Sequence, residues 1–220
     1  LRQVALFDCL GDPELEALSE LTFSRTFDKD QLIILAEASG DTLFIICSGQ
    51  VKVSLIHEDG KEFILSLLGE GEVFGELSLL DDRPRSANVT AMMTTELMML
   101  TRGDFLQLVA RVPQIAVSLL EELASRLRRT DDQVEGLALL DVHHRVAKTL
   151  LRMAEDGGQK SPEGILIRKR PTHQQLANMA GTTRETVTRT LKQLQDEGYI
   201  RISGRQIFIL ADVATPSLDD

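Results

Sequence analysis

The sequence predicts an α+β chain with an N-terminal β jelly roll, a long helix and a C-terminal winged helix-turn-helix. Three observations support this fold class. Short apolar runs separated by turn residues fill 27–100, an apolar repeat stepping by four and three fills 113–140, and two capped helices followed by a hairpin fill 172–209. A chain of 220 residues is long enough for two modest domains with separate cores.

The composition is typical of a soluble globular protein, with 43% hydrophobic and 26% charged residues. No apolar run approaches the roughly 18 residues that a membrane span requires, and the first residues show no signal pattern. Cys9 and Cys47 are too few for a disulfide framework. We therefore expect a cytoplasmic protein without a membrane partner.

The net charge of −10 is unevenly distributed along the chain. Between Ile165 and Leu210 there are eight basic and three acidic residues, a local charge of +5, so the rest of the chain carries −15. This asymmetry is typical of an acidic body joined to a nucleic-acid-binding segment. The expected partner of that segment is double-stranded DNA.

Residues 1–112 are expected to form the first domain. A short helix should begin at Asp12, which caps it, and another at the capping box Thr101 to Asp104. The turns Ser48-Gly49 and Asp59-Gly60 both predict hairpins. The predicted strands are Leu43 to Cys47, Val51 to Ile56, Phe63 to Leu68, Ala87 to Ala91 and Leu97 to Leu100. Short antiparallel strands at this spacing favour a barrel or jelly roll.

Residues 113–140 are predicted to form a dimerisation helix that ends at a hinge, Leu140-Asp141. The seam has the a/d spacing of a helix that pairs with a partner helix, and Thr130 is its one polar position. The apolar seam residues are Ala116, Leu120, Leu123, Leu127, Val134 and Leu137. The pattern predicts a homodimer.

Residues 141–220 are predicted to form a winged helix-turn-helix domain. Thr172 and Gln175 form one capping box, Gly181 supplies a tight turn, and Thr182 with Glu185 opens the second helix. The residues from Ile200 to Ile209 alternate around a Ser-Gly turn and predict a hairpin wing. The exposed residues of the second helix are Arg184, Glu185, Thr186, Arg189 and Lys192.

These exposed residues have the chemistry for reading bases in a major groove. Arg184 and Arg189 can each donate two hydrogen bonds to guanine, and Glu185 can accept one from cytosine. The alternative is that the charges only form the solvated face of an ordinary helix pair.

The stretch from Phe74 to Ala87 has the residue types of a phosphate site. Gly75 allows close backbone approach, Glu76 can accept from a sugar hydroxyl, and Arg85 with Ser86 can donate to phosphate oxygens. A surface Glu–Arg pair on a loop would show the same pattern. The Thr130 hydroxyl can serve both the seam and a ligand, and the neighbouring Asp131 can accept an amino proton from a purine.

With these motifs, the chain resembles the cyclic AMP receptor protein/FNR (CRP/FNR) family of bacterial transcription regulators over nearly its whole length. The most specific stretches are Phe74-Gly-Glu-Leu, Pro84-Arg-Ser-Ala, Leu137-Ala-Leu-Leu-Asp-Val142 and Gly181-Thr-Thr-Arg-Glu-Thr-Val-Thr-Arg189. The resemblance implies that the jelly roll is a cyclic-nucleotide-binding domain. Glu76 would then contact the ribose 2′-hydroxyl, Arg85 and Ser86 the cyclic phosphate, and Thr130 the adenine.

The resemblance implies two sets of site residues. The ligand-binding set is Phe74, Gly75, Glu76, Leu77, Ser78, Arg85, Ser86, Arg126, Thr130 and Asp131. The second set is the DNA-binding set. Its residues that match readers of a TGTGA-type half-site are Arg184, Glu185 and Arg189, and those that match phosphate contacts are Thr172, Gln174 and Thr183. Thr186 and Lys192 complete the DNA face. Asp131 departs from the serine of the best-known member, which affects the expected base contact.

The leading functional hypothesis is a cyclic-AMP-responsive homodimer that binds a palindromic TGTGA-type DNA site. A ligand-independent DNA binder, or a regulator that senses another nucleotide such as a cyclic dinucleotide, is the alternative. An enzyme or metal site is not expected, because the barrel region holds one histidine, His57, and no cysteine cluster. Whether RNA polymerase is a further partner is left open by the sequence.

Overall fold

A computed structural model of the chain describes residues 1–2 and 4–210 and divides the chain into two compact units, Leu1–Thr130 and Asp131–Asp220. A short 3-10 helix, Ala5–Phe7, precedes seven α-helices in the described residues. The helices are α1 (Asp12–Leu21), α2 (Glu76–Asp81), α3 (Arg102–Arg111), α4 (Gln114–Leu139), α5 (Val142–Gly157), α6 (His173–Ala180) and α7 (Arg184–Asp196). The strands of the first unit are β1 (Phe23–Phe27), β2 (Leu32–Ile34), β3 (Thr42–Ser48), β4 (Val51–Ile56), β5 (Glu62–Leu68), β6 (Val73–Phe74), β7 (Asn88–Ala91) and β8 (Thr95–Thr101).

The first unit is a sandwich of two antiparallel four-stranded sheets, as the predicted jelly roll requires. Their strand orders are β1-β8-β3-β6 and β2-β7-β4-β5. Side chains of β3 alternate between two cores because successive residues of a strand point to opposite faces. Phe44 and Ile46 pack inside the sandwich, whereas Leu43 and Ile45 pack against residues of α1, α3 and α4.

One predicted hairpin of the first unit differs from the structure. The Ser48-Gly49 turn does not form a hairpin, because β3 and β4 pair with strands of different sheets, so this turn crosses between the sheets. The hairpin at Asp59-Gly60 is confirmed by the β4–β5 ladder. The sequence analysis also did not predict β1, β2, β6 and α2. Four of the five residues of β1 are exposed, and β2 and β6 are only three and two residues long, so their hydrophobic patterns are weak.

Of the predicted N-caps of α1 and α3, that of α1 differs from the structure. Gly11, rather than Asp12, is the N-cap of α1, and its N–H donates to the Glu14 carboxylate at 2.7 Å. The Thr101 hydroxyl accepts from the backbone N–H of Asp104 as predicted. The Asp141 carboxylate accepts from the N–H of His144 at 2.9 Å, so Asp141 of the predicted hinge is the N-cap of α5.

The second unit packs α5, α6 and α7 on a sheet of order β11-β12-β10-β9. The strands are β9 (Gln159–Ser161), β10 (Gly164–Ile167), β11 (Ile200–Ser203) and β12 (Gln206–Leu210). The core is built from Val146 and Leu150 of α5, Leu176 of α6 and Val187 of α7. The β11–β12 hairpin is the predicted wing. Residues 211–220 of the predicted C-terminal domain lie outside the described residues.

The second unit also corrects two details of the sequence prediction. β9 was not predicted from the sequence, because all three of its residues are exposed and no apolar alternation marks it. The N-cap of α7 is Thr183 rather than Thr182, and its hydroxyl accepts from the N–H of Thr186 at 3.3 Å. Gly181 caps α6 in the left-handed region (φ 62°), as the predicted tight turn requires.

Candidate functional sites

Arg85 is the centre of the first candidate site. It lies on the segment between α2 and β7, and only 6% of its surface is exposed. Its guanidinium donates to the carbonyl oxygen of Gly75 at 2.7 Å and to that of Thr42 at 2.8 Å. The guanidinium carbon also lies 5.8 Å from the centroid of the Phe44 ring, which stacks on Phe74. Backbone from β3 and from the start of α2 therefore holds this cation.

Two glycines make room for the Arg85 guanidinium. Gly75 has φ +84°, and a Cβ atom there would lie 2.6 Å from Arg85 Nη1 and 2.9 Å from the Thr42 carbonyl oxygen. A Cβ atom at Gly40 would overlap Arg85 Nε. Side chains at these two positions would displace the guanidinium, so this placement of Arg85 requires glycine at both.

Among the described residues, the charge of Arg85 has no close anionic partner. Across residues 1–2 and 4–210, no carboxylate oxygen approaches its nitrogens within the ion-pair distance of 4.0 Å. Burial lowers the pKa of Arg85, while Asp41 and Glu76 act more weakly in the opposite direction. A guanidinium stays protonated in proteins, so the site holds a buried cation whose hydrogen-bond partners among the described residues are carbonyl oxygens. Such a site is chemically suited to an anion.

A second group of charges meets at Arg126 of α4. Its guanidinium lies 3.0 Å from the buried Glu76 carboxylate and 2.8 Å from that of Glu122, and it donates to the Val73 carbonyl oxygen at 2.6 Å. Burial alone would lower the pKa of Arg126, but the carboxylates of Glu76 and Glu122 outweigh it and raise that pKa. Glu76 is therefore fixed by a cation on the helix that was predicted to pair protomers.

Glu72 adds a further carboxylate near this group. Its Oε2 atom accepts from the N–H of Gly69 at 2.7 Å. Burial raises the pKa of Glu72, partly offset by the Gly69 hydrogen bond and the charge of Arg126.

The other predicted ligand-binding residues include both buried and exposed side chains. Ser78 is buried and its hydroxyl donates to the Gly75 carbonyl oxygen at 3.3 Å, whereas Leu77 and Ser86 are exposed. Thr130 is exposed, and its hydroxyl donates to the Arg126 carbonyl oxygen one turn earlier. Asp131 is the first residue of the second compact unit.

The predicted seam of α4 presents a row of exposed apolar side chains. Leu120 is 65% exposed and Leu127 62% exposed, and Val134 and Leu137 are also exposed. Leu123 differs, because it packs partly on the core of its own unit. Pairing of this face with a second copy remains a prediction.

The predicted DNA face follows one side of α7. Arg184, Glu185, Arg189 and Lys192 are exposed, and Thr186 is half-buried beside the capping residue Thr183. The N-terminal side of α6 is formed by Thr172, which caps the helix, and by Gln174, which donates to the Asn178 side chain at 2.8 Å.

Sequence reasoning missed several residues of both sites. Gly40, Thr42 and Phe44 lie about 40 residues before Arg85, and no local pattern connects them. His173 was also missed, although its Nδ1 atom lies 2.8 Å from the Thr188 hydroxyl of α7. A histidine directly after a helix cap on a basic segment was the available signal.

Arg145 of α5 donates hydrogen bonds to three backbone carbonyl groups within the second unit. Its guanidinium donates to the carbonyl oxygens of Leu140 at 3.0 Å, Ala180 at 2.9 Å and Gly181 at 3.3 Å. It thereby satisfies carbonyl groups at the end of α6 and in the turn before α7.

Neither a membrane span nor a metal cluster emerges in the part of the chain that the structure describes. None of its helices combines the length and apolar character needed to traverse a bilayer. No set of three or more His, Cys, Asp or Glu side chains is grouped there as metal ligands would be.

Comparison with known proteins identifies both halves of the chain. Residues 24–112 match the family model of the cyclic nucleotide-binding domain, and residues 144–214 match that of the Crp-like helix-turn-helix domain. The two matched regions contain the Arg85 site and the α6–α7 pair, respectively.

Sequence similarity to known proteins extends over almost the full chain. The cyclic AMP receptor protein of Thermus thermophilus is 38% identical over 197 residues, covering 90% of this chain and 88% of that protein. The CRP-like cAMP-activated global transcriptional regulator of Mycobacterium tuberculosis is 31% identical over 209 residues, covering 95% and 93%. The chain also superposes on a solved structure, that of the c-di-GMP responsive global regulator CLP of Xanthomonas campestris, with a TM-score of 0.77 at 24% identity. The match covers 91% of this chain and 100% of that one and shows a shared fold. The chain therefore belongs to the CRP/FNR family of DNA-binding transcription regulators, with a cyclic nucleotide-binding domain before its helix-turn-helix.

Proposed function

We propose that this chain is a cytoplasmic, homodimeric transcription regulator, not an enzyme, that binds cyclic AMP and then recognises a palindromic TGTGA-type site. The observation that carries the ligand proposal is Arg85, a buried cation with no carboxylate within 4.0 Å among the described residues. A cyclic phosphate would supply the missing negative charge.

The remaining groups of the site suit the other parts of a cyclic purine nucleotide. The fork of Arg85 can donate to two phosphate oxygens at once, and the exposed Ser86 can add a third donor. Glu76, fixed by Arg126, can accept from a ribose 2′-hydroxyl. Thr130 and Asp131 are the proposed contacts for the base. The names of the Thermus and Mycobacterium relatives support cyclic AMP over other nucleotides.

The exposed apolar row of α4 supports the proposed dimer. A row that includes Leu120 and Leu127 removes most apolar area from water when an identical row packs on it. In a two-fold dimer the recognition helices α7 enter successive major grooves about 34 Å apart, which explains why a palindrome is the expected site. Arg184, Glu185 and Arg189 then read bases, while Thr172, Gln174 and Thr183 contact phosphates.

Calorimetric titration tests the ligand. Cyclic AMP, cyclic GMP and cyclic di-GMP are each titrated into the dimeric protein, and cyclic AMP is expected to bind most tightly. Arg85→Lys keeps the charge but loses the fork, so its affinity for cyclic AMP is expected to fall at least about tenfold. Arg83→Ala is the matched control, because Arg83 lies on the same segment with an exposed side chain. Equal affinity of wild type and Arg85→Lys would remove Arg85 from the site.

DNA binding tests the regulator. Fluorescence anisotropy with a TGTGA palindrome and with a scrambled duplex is measured with and without cyclic AMP. The proposal predicts tight binding to the palindrome that cyclic AMP strengthens, since a ligand acts through its differential affinity for two states. Strong binding that no nucleotide alters would favour a ligand-independent regulator. Cyclic di-GMP as the active nucleotide would favour a cyclic dinucleotide sensor. Sedimentation equilibrium of the same sample measures the proposed dimer.

A further inference from the structure

His173, the first residue of α6, is hydrogen-bonded to the recognition helix. Its Nδ1 atom lies 2.8 Å from the Thr188 hydroxyl oxygen, and that hydroxyl donates to the Arg184 carbonyl oxygen at 2.9 Å. Thr188 is exposed and lies four residues after Arg184, so the two residues share a face of α7. The imidazole therefore lies at the junction of the two helices, beside the face proposed to read DNA.

These two hydrogen bonds determine which ring nitrogen of His173 carries the proton. A threonine hydroxyl has one hydrogen, and Thr188 uses it on the Arg184 carbonyl. Both hydrogen bonds can form at once only in the tautomer in which Nδ1 donates to this hydroxyl, so their coexistence favours a proton on Nδ1. A neutral imidazole has one N–H, which leaves Nε2 as an unprotonated acceptor. Among the described residues, Nε2 has no hydrogen-bond partner.

The charged groups that act on His173 are both cations. Burial lowers the pKa of His173 most, and the charges of Arg170, on the segment before α6, and Arg184, on α7, lower it further. In the free protein the ring is therefore held more in the neutral form than an ordinary histidine, with a lone pair at Nε2. That lone pair would repel a phosphate oxygen.

We propose that His173 is a DNA-contact residue that takes up one proton at Nε2 when the chain binds a duplex, and then donates that N–H to a backbone phosphate. The inference rests on the proposed DNA-binding function. The proton comes from the solvent, no covalent bond to DNA forms, and the Nδ1–H bond to Thr188 is kept. The first helix of a helix-turn-helix crosses the DNA backbone, which places such a contact within its reach.

The proton uptake has a definite sign. A phosphate stabilises the imidazolium, so the pKa of His173 is higher in the complex than in the free protein. Affinity for DNA is then greatest below the free-state pKa and falls as the pH rises toward the bound-state pKa. Each unit by which DNA raises this pKa corresponds to about tenfold in affinity per protomer between the two limits.

The test is the pH dependence of DNA affinity for the full chain, measured by anisotropy on the TGTGA palindrome from about pH 5.5 to about pH 8 at constant ionic strength. Calorimetry in two buffers with different ionisation enthalpies counts the protons taken up. Wild type is expected to bind more tightly at low pH, with up to one proton taken up per protomer. His173→Gln and His173→Arg should each remove this pH dependence, the arginine variant while binding tightly throughout.

Two further variants separate this role from a merely structural one. Thr188→Val removes the acceptor that fixes the tautomer, so neutral His173 can carry its proton on Nε2 and the pH dependence should shrink, whereas Thr188→Ser should keep it. His144→Gln on α5 is the matched histidine control and should behave as wild type. Unchanged pH dependence in His173→Gln would overturn the inference, whereas a wild type that binds no DNA at any pH would instead refute the proposed function.

Discussion

Replacing Arg126 by alanine is expected to destabilise the first unit strongly. The Glu76 side chain is 5% exposed, and Arg126 is its ion-pair partner at 3.0 Å. Removing one member of a buried pair leaves a charge without compensation, which costs about 3–5 kcal/mol. The Val73 carbonyl oxygen also loses its donor. Glu122 offers a matched comparison, since its side chain is 40% exposed and pairs with the same guanidinium. Because water screens that pair, Glu122→Gln should cost less than about 1 kcal/mol.

Urea denaturation followed by hydrogen exchange measures both effects. Peptides from β3 and β8 report on the first unit alone, so unfolding of the second unit does not enter the value. Glu76→Gln added to Arg126→Ala should recover a large part of the lost stability, because a neutral amide replaces the unpaired carboxylate. Equal destabilisation by Arg126→Ala and Glu122→Gln, or no recovery in the double variant, would refute the assignment of Arg126 as the partner of a buried charge.

Three other substitutions test further features by denaturation. The hydroxyl of Ser54 is buried without a hydrogen-bond partner among the described residues, so Ser54→Ala should be neutral or stabilising by up to about 1 kcal/mol, and clear destabilisation would reveal a hidden partner. Because the pKa of Glu72 is raised in the folded protein, the first unit loses stability as the pH rises from the ordinary glutamate range through that raised pKa. Glu72→Gln should remove this loss. An unchanged dependence of stability on pH in Glu72→Gln would contradict the role of Glu72. Arg145→Gln should destabilise the second unit by about 1–3 kcal/mol, because carbonyl groups at two helix ends lose a charged donor, while the first unit serves as the internal control.

The parts of the fold that local chemistry determines could be predicted from the sequence. The capping residues Thr101, Asp141 and Thr172 each accept from a backbone N–H group three residues later, so their effect is visible in a short window. Short apolar runs between turn residues likewise marked β4 and β5. Where two threonines stood side by side, at Thr182 and Thr183, the local pattern did not distinguish the cap, and the prediction was wrong by one residue.

The candidate sites were predictable only in part. Glu76 and Arg85 lie in one short stretch with recognisable residue types. Their partners do not, because Thr42 and Arg126 reach the site through the packing of β3 and α4, more than 40 residues away in sequence. The Ser48-Gly49 turn was misassigned for a related reason, since strand pairing between distant segments decides whether a turn closes a hairpin.

The confinement of Arg85 between Gly40 and Gly75 affects which anions the guanidinium can bind well. The guanidinium is already immobilised in the folded protein, so anion binding does not carry the entropic cost of ordering this side chain. The guanidinium has five N–H donors, and the carbonyl oxygens of Gly75 and Thr42 use two of them, so an incoming anion can accept from those that remain. A group offering two oxygens can accept from two of these donors at once, whereas a single-atom anion such as chloride cannot form the same bidentate contact. A methyl group at either glycine would end this selection by expelling the arginine.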